Sequence, residues 1–321
     1  DEVRVLDQAA RDAGVLLLNE CGFDPGIDHM TAVRTIRRFE SRGARVTQFT
    51  SAAAGLPAPE ANTNPWQYKF SWNPRAAILA ARRDARFLRS GRIIEVAGSE
   101  LHRYAAAHEV EGLGTMEMYP NRDSLFYRDL YGLRDAADVF RGTLRYPGWM
   151  QTIAAAARLG LLDETTRSWP VGTTWRDIAG RKLEGVDARA MERLRWAGFF
   201  SDEPIGRTSA SALDLFVSRL EGILQYERGE RDMALLQHRF EATFSDGTHE
   251  RIEASLVTYG EANGDTAMSR LVGLPAAIAA DLVLRRRIEL TGVQIPVAPA
   301  IYEPLLEELE GQGVTATERK I

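Results

Sequence analysis

The segment Phe23-Asp24-Pro25-Gly26-Ile27-Asp28-His29 has the residue types and the placement of a site. It follows the apolar run Val15-Leu16-Leu17-Leu18 directly, and in open α/β sheets ligands bind beyond the carboxyl ends of strands. Asp24 is therefore the candidate for electrostatic or proton-transfer work, while Asp24-Pro25-Gly26 also makes an ordinary tight turn and Asp28 an ordinary helix cap. His29, near a helix start, serves as readily as a structural hydrogen-bonder. Two arginine segments stand further on, Tyr119-Pro120-Asn121-Arg122-Asp123-Ser124 and Arg141-Gly142-Thr143-Leu144-Arg145-Tyr146. Two arginines on loops at one sheet edge suit a ligand with several carboxylates, because each guanidinium can grip one bidentately. In an arginine-rich chain they also suit a plain solvated surface. The histidines are scattered and Cys21 has no partner at ligand spacing, so no metal site is expected. No serine or cysteine nucleophile elbow occurs.

The elements that must position these residues follow from apolar periodicity. Residues 2–13 have helical spacing ended by Gly14, and 15–18 read as a buried parallel strand. A helix is expected from Asp28 to about Ser41, a strand over 46–52, then a turn-rich loop from Gly55. Residues 74–87 read as helix; 91–96 and 110–119 read as strands. Helical periodicity dominates 150–226. Leu235–Thr243 and Glu250–Thr258 form a hairpin about Asp246-Gly247. Ala267–Arg285 is a long apolar helix, Pro304–Gly311 a last helix, and the rest a ragged polar tail.

With 45% hydrophobic and 26% charged residues, the chain has an ordinary globular composition. A length of 321 predicts two or three domains. The net charge of −5 argues against a nucleic-acid surface. A single cysteine suits a reducing compartment, and with no signal-like segment the expectation is a cytoplasmic protein off the membrane.

Taken together, these segments make the chain resemble the L-glutamate-forming saccharopine dehydrogenases. The resemblance rests on 22–29, Gly55-Leu56-Pro57-Ala58-Pro59-Glu60, Tyr68-Lys69-Phe70-Ser71-Trp72, 119–124, 141–146, Gln225-Tyr226-Glu227, Glu230-Arg231-Asp232-Met233 and Leu236-Gln237-His238. It covers nearly the whole chain in family order. It implies an α/β fold: a partial Rossmann-like parallel sheet from 1–30 and 265–321, a mixed-sheet substrate and dimerisation domain from 31–149 and 227–264, and a helical insertion at 150–226. The family's glycine-rich phosphate loop has no counterpart here, since no Gly-x-Gly-x-x-Gly occurs. The expectation is that the cofactor cradle lies outside this chain and that the chain alone is inactive.

The resemblance also implies site roles. Asp24 would stand beside the reacting carbon and nitrogen; Asp24, Arg122, Thr143, Leu144 and Arg145 would bind substrate. Phe23, Asp24, Pro25, Ala53, Ala54, Gly55 and Asn73 would face NADP, with NAD not excluded. Ala53 stands where relatives often carry a cysteine, so no thiol chemistry is expected there. The implied reaction interconverts saccharopine with glutamate and 2-aminoadipate 6-semialdehyde, with hydride leaving the glutamate-side α-carbon, in a homodimer. Two other readings stay open: a relative acting on another carbon–nitrogen adduct such as carboxynorspermidine, and a binding or dimerisation module without catalysis.

Overall fold

The computed structural model describes residues 2–179 and 185–321; Asp1 and 180–184, inside the expected 1–30 and 150–226 segments, lie outside the described residues. A 3₁₀ turn leads into α1 (Asp7–Asp12), which ends where Gly14 takes a left-handed φ of 67°. Then come β1 (Leu16–Leu18), α2 (Ile27–Ser41), β2 (Ala44–Pro57) and α3 (Pro74–Ala80). The next stretch is β3 (Ala85–Arg89), β4 (Arg92–Val96), β5 (Ala106–Val110), β6 (Gly114–Pro120), α4 (Leu125–Leu130) and β7 (Asp138–Arg145). Helices α5 (Trp149–Arg158), α6 (Trp175–Ile178), α7 (Ala188–Trp196) and α8 (Ala212–Ile223) follow, with the short pair β8 (Arg167–Ser168) and β9 (Ser209–Ala210) among them. The chain closes with β10 (Asp232–Phe244), β11 (His249–Tyr259), α9 (Ala267–Leu284), β12 (Gly292–Gln294), α10 (Pro299–Gly311) and β13 (Thr317–Lys320).

Nine strands form one mixed sheet, with β13-β11-β10-β2-β7-β3-β4 as its path and the β5–β6 hairpin joined through β6 to β7. The β2–β7 pair is parallel, from Gln48↔Asp138 to Ala53↔Thr143, and the other neighbours are antiparallel. One face carries α2, α9 and α10 over a core that includes Phe39, Phe49, Phe240, Leu271 and Leu305. The other carries the helical region, built around Trp66, Trp149, Phe199 and Phe216; the last two rings stack at 4.6 Å. A separate two-stranded parallel sheet joins the chain's two ends, Leu16–Leu18 on β1 against Gly292–Gln294 on β12. The 265–321 segment is thus divided, since α9, α10 and β13 belong with the large sheet. Helix α9 is apolar and long enough to cross a membrane by composition alone, but it packs on α10 and β10 and buries Leu271, Ala279 and Leu282.

The structure corrects four expected elements. Helix ends at Ala80, and Ala85–Arg89 is a strand: Ala85, Phe87 and Leu88 are buried while Arg86 and Arg89 are exposed, which suits a pleat better than a helical face. The 110–119 stretch is two strands turned at Glu111–Leu113. Strand β2 runs on through Gly55 and Leu56 to Pro57 because β10 continues to pair with it, Asp232 opposite Pro57. The polar tail is β13, paired on β11 with Arg319 bonded to the buried Glu253.

The start of α9 is fixed by a buried carboxylate. Asp232, 1% exposed, accepts the Ala267 N–H at 2.6 Å and the Met268 N–H at 3.0 Å. A carboxylate bonding two free N–H groups at a helix start satisfies donors the helix cannot. Asp232→Ala should lower unfolding free energy by about 2–4 kcal/mol, with Asp232→Asn in between. Urea denaturation checks this, and a change below about 0.5 kcal/mol would mean that the cap does not hold α9.

Candidate functional site

Strand β1 delivers the chain to a loop that folds back on itself. The Gly22 N–H bonds the Pro25 carbonyl, and the Ile27 N–H the Gly22 carbonyl, so Asp24 sits at the tip of a closed turn with a cis bond to Pro25. Gly26 has a φ of 147°, and a Cβ there would collide with the Gly22 backbone, so only glycine fits. Helix α2 starts at the next residue. Its buried Asp28 turns one oxygen back to accept the Gly26 N–H at 2.6 Å.

Asp24 faces a cavity of about 300 Å³. Phe23, Pro25 and the end of β2 (Ala53, Ala54, Gly55) form one wall; Trp72, Ala76 and Ala80 form another, with Met268 between. Gly55 leaves room for Met268, whose Sδ would lie 2.8 Å from any Cβ there. The polar side is Asn121, Arg122, Arg141, Thr143 and Arg145.

Strand β7 sorts these residues. Arg141, Thr143 and Arg145 share one parity and line the cavity, whereas Leu144 lies in the helical-side core with 0% exposure. Leu144 is thus not a lining side chain; its carbonyl accepts the Arg145 Nη1–H at 2.8 Å. Nor does Asn73 line the cavity, because its side chain caps α3 by accepting the Ala76 N–H. The arginine segment 141–146, expected as a loop, is this internal strand.

The three arginines are in different states. Arg141 forms an ion pair with Asp24, lies 3.5 Å from Asp28 Oδ2 and rests 4.9 Å from the Tyr127 ring centroid. Burial brings its pKa down to about 10. Arg145, 2% exposed, lies over Tyr68 and Trp149 and leaves its Nε unbonded. Arg122 projects from a strained turn (φ 52°), braced by the Arg86 N–H on its carbonyl. Among the described residues, neither Arg122 nor Arg145 has a carboxylate partner.

Behind Asp24 lies a second polar layer. His29, its side chain fully buried, bonds Glu20 through Nε2 and the Tyr131 hydroxyl through Nδ1, both at 2.7 Å, and stacks on Tyr127. Burial pulls the His29 pKa down, but Asp28 and Glu20 outweigh it and the net shift is upward. Asp28 is raised by burial, and Glu20 is lowered chiefly by its bond to His29. Cys21 is no nucleophile: burial pushes its thiol up to about 11.

Sequence reasoning missed Arg141, Trp72, Asn121 and Met268 as lining residues. For Arg141 the signal was weak: in Val139-Phe140-Arg141-Gly142-Thr143-Leu144 the alternation is broken at Val139-Phe140 and at Gly142-Thr143, and only the strand itself groups residues 141, 143 and 145. Met268 is far in sequence from the rest and reaches the cavity only through the Asp232 cap.

The family described as saccharopine dehydrogenase C-terminal domain matches residues 22–314. The saccharopine dehydrogenase [NADP(+), L-glutamate-forming] of Schizosaccharomyces pombe is 34% identical, over 98% of this chain and 76% of its own length. The rat protein named alpha-aminoadipic semialdehyde synthase, mitochondrial, is 34% identical over 97% of the chain and 36% of its own. The solved apo structure of the saccharopine dehydrogenase (L-Glu forming) from Saccharomyces cerevisiae superposes with a TM-score of 0.87 at 36% identity, covering 99% of this chain and 77% of that one.

Because the folded pKa of His29 is raised, its protonation stabilises the fold fully below the ordinary value of 6.5, and that contribution fades as pH rises through the raised value. The stability difference between wild type and His29→Gln in urea should therefore be larger near about pH 6 than near about pH 9. An equal difference at both would show that His29 acts here only as a neutral hydrogen-bonder.

Proposed function

The chain belongs to the saccharopine dehydrogenase family, and from that premise we propose that it is the substrate-binding body of an NADP-dependent oxidoreductase. The reaction interconverts saccharopine with glutamate and 2-aminoadipate 6-semialdehyde in lysine metabolism. The observation that carries this reading is a pair of arginines, Arg122 and Arg145, that line one cavity with Asp24 and have no carboxylate partner among the described residues. A cation buried as deeply as Arg145 needs a counter-charge, and saccharopine, a secondary amine with three carboxylates, supplies it.

The chain's residues fit the nicotinamide end of NADP. Phe23, Pro25, Ala53, Ala54 and Gly55 offer a wall of small and apolar groups against which a flat ring can lie beside Asp24. The bound cofactor would supply hydride acceptance and, in reverse, donation. Among the described residues no glycine-rich loop offers a cradle for its phosphates.

The hydride-losing carbon differs from the expectation given above. Loss from the glutamate-side α-carbon would leave an imine that hydrolyses to 2-oxoglutarate and lysine. Glutamate and the semialdehyde require loss from the lysine-side ε-carbon, so that water opens a C=N bond ending in an aldehyde. Arg122 and Arg145 grip substrate carboxylates bidentately and hold that carbon still, so the chain contributes mainly positioning. The Asp24 carboxylate, paired with Arg141, stabilises the positive charge that grows on nitrogen as hydride departs and can accept the amine proton. Thr143, on the same parity of β7, offers a hydroxyl between the arginines. Ala53 contributes no proton transfer, which leaves Asp24 as the acid–base group on this side.

The same reading includes a homodimer and a cytoplasmic setting. The dimer is supported by the open face of β11, where Ser255 and the exposed Val257 alternate with inward-facing Leu256. The cytoplasm is supported only by the single cysteine; the rat relative's name is mitochondrial. A polyamine adduct is disfavoured because it would meet cations with cations.

In the full-length protein, Arg122→Ala should weaken saccharopine binding by about tenfold to a hundredfold and leave NADP affinity within about twofold. Arg122→Lys should recover only part, since a point charge cannot replace the fork. Calorimetric titration of each ligand checks this. Unchanged saccharopine affinity in Arg122→Ala would remove the arginine from the site.

A further inference from the structure

Arg141 lines the same cavity as Arg122 and Arg145 but is not available to a substrate carboxylate. Its guanidinium is already shared between Asp24 and Asp28, and its plane lies over Tyr127. A substrate would have to displace two carboxylates to use it. The anchoring is reciprocal, because Asp28 spends one oxygen on the Gly26 N–H and turns the other toward Arg141. One buried carboxylate therefore ties the backbone of the Asp24 loop to the same guanidinium that holds the Asp24 side chain. The backbone under Arg141 is braced as well, its N–H bonding Ser124 Oγ and its carbonyl accepting the Asn121 N–H.

We propose that Arg141 is a positioning residue for the reaction: it holds the Asp24 carboxylate ionised and aimed into the cavity, with Asp28 as its buried anchor. This rests on the reading above that gives Asp24 the charge-stabilising role. Without Arg141, Asp24 would face the like charge of Asp28, and protonation would become easier. The other groups facing the pair stay in place. Glu20 and His29 lie on the α2 side, bonded to each other, and Arg122 and Arg145 lie on the cavity side. Tyr127 from α4 and Tyr131 just after it are held protonated by burial, and His238 from β10 is held neutral, its pKa brought down to about 3. Arg141 is itself a lesser cause of the lowered Glu20 and His238, so the loss of kcat with saccharopine affinity kept, read together with the limb, reports its hold on Asp24.

The test uses the full-length protein with saccharopine and NADP, comparing wild type, R141K, R141Q and R141Q/D28N. R141Q should lose about a hundredfold in kcat, while saccharopine affinity by calorimetry stays within about threefold, the split expected of a group that acts on the transition state alone. The acidic limb of its pH profile should move up by about one unit or more. R141K should recover part of kcat and return the limb most of the way. R141Q leaves the buried Asp28 without its guanidinium, so it can fail to fold. R141Q/D28N removes that charge and carries the test in that case: the limb returns toward wild type while kcat stays low. Wild-type kcat and an unmoved limb in a folded R141Q or R141Q/D28N would overturn the proposal. So would a loss of saccharopine affinity with kcat intact, which would make Arg141 a substrate ligand. If wild type itself fails to oxidise saccharopine, the functional reading falls instead; if wild type and R141Q turn over equally, only this inference does.

Discussion

The buried Asp28 carboxylate is the constraint on which the site's shape depends. Its two oxygens face a backbone N–H in the loop before α2 and a guanidinium on β7. A loop, a helix start and a central strand are thereby held to one point. Ionising a carboxylate away from water is unfavourable unless bonds and opposite charge compensate it, and burial does raise Asp28. What compensates it is the geometry the site needs: Gly26 in a conformation no other residue accepts, Arg141 pinned on the cavity-facing parity of β7, and His29 protonated more readily beside it.

From that point the cavity divides its work between cations that are satisfied and cations that are not. Arg141 is neutralised within the chain. Arg122 and Arg145 have no carboxylate among the described residues, and Arg145 is held by aromatic faces that cannot cancel its charge. A site with two waiting guanidinium forks and one fixed carboxylate is complementary to a molecule carrying carboxylates around a basic nitrogen. The apolar wall from Phe23 to Gly55 is complementary to a flat ring. Small residues matter on that wall, because Gly55 already brings β2 as close to Met268 as sterics permit.

Much of the scaffold was legible because its signals are local. The Asp246-Gly247 turn marks the β10–β11 hairpin and Gly14 the end of α1. Less legible was anything decided by a partner distant in sequence. Residues 85–89 follow a helix rich in alanine and are a strand between β4 and β7, partners distant from the local pattern. The tail has no apolar pattern and becomes β13 because β11 offers an edge. In the site, Asp24 could be found from its place after an apolar strand. The exclusion of Leu144 and the inclusion of Arg141 needed the strand parity of β7, whose alternation is interrupted by Gly142 and Thr143. Asn73, expected to face the cofactor, caps α3 in the structure, and a helix-capping asparagine and a ligand-binding one look alike in sequence.

Substrate discrimination tests this account most directly. The full-length protein should be given NADP with saccharopine and, separately, with carboxynorspermidine, and kcat/KM measured for each with products identified. The account predicts that saccharopine is oxidised to glutamate and 2-aminoadipate 6-semialdehyde and is preferred by at least about a hundredfold, because a substrate short of carboxylates leaves the buried Arg145 guanidinium unmatched and forgoes the grip of the exposed Arg122. Equal or better turnover of the polyamine adduct would contradict it.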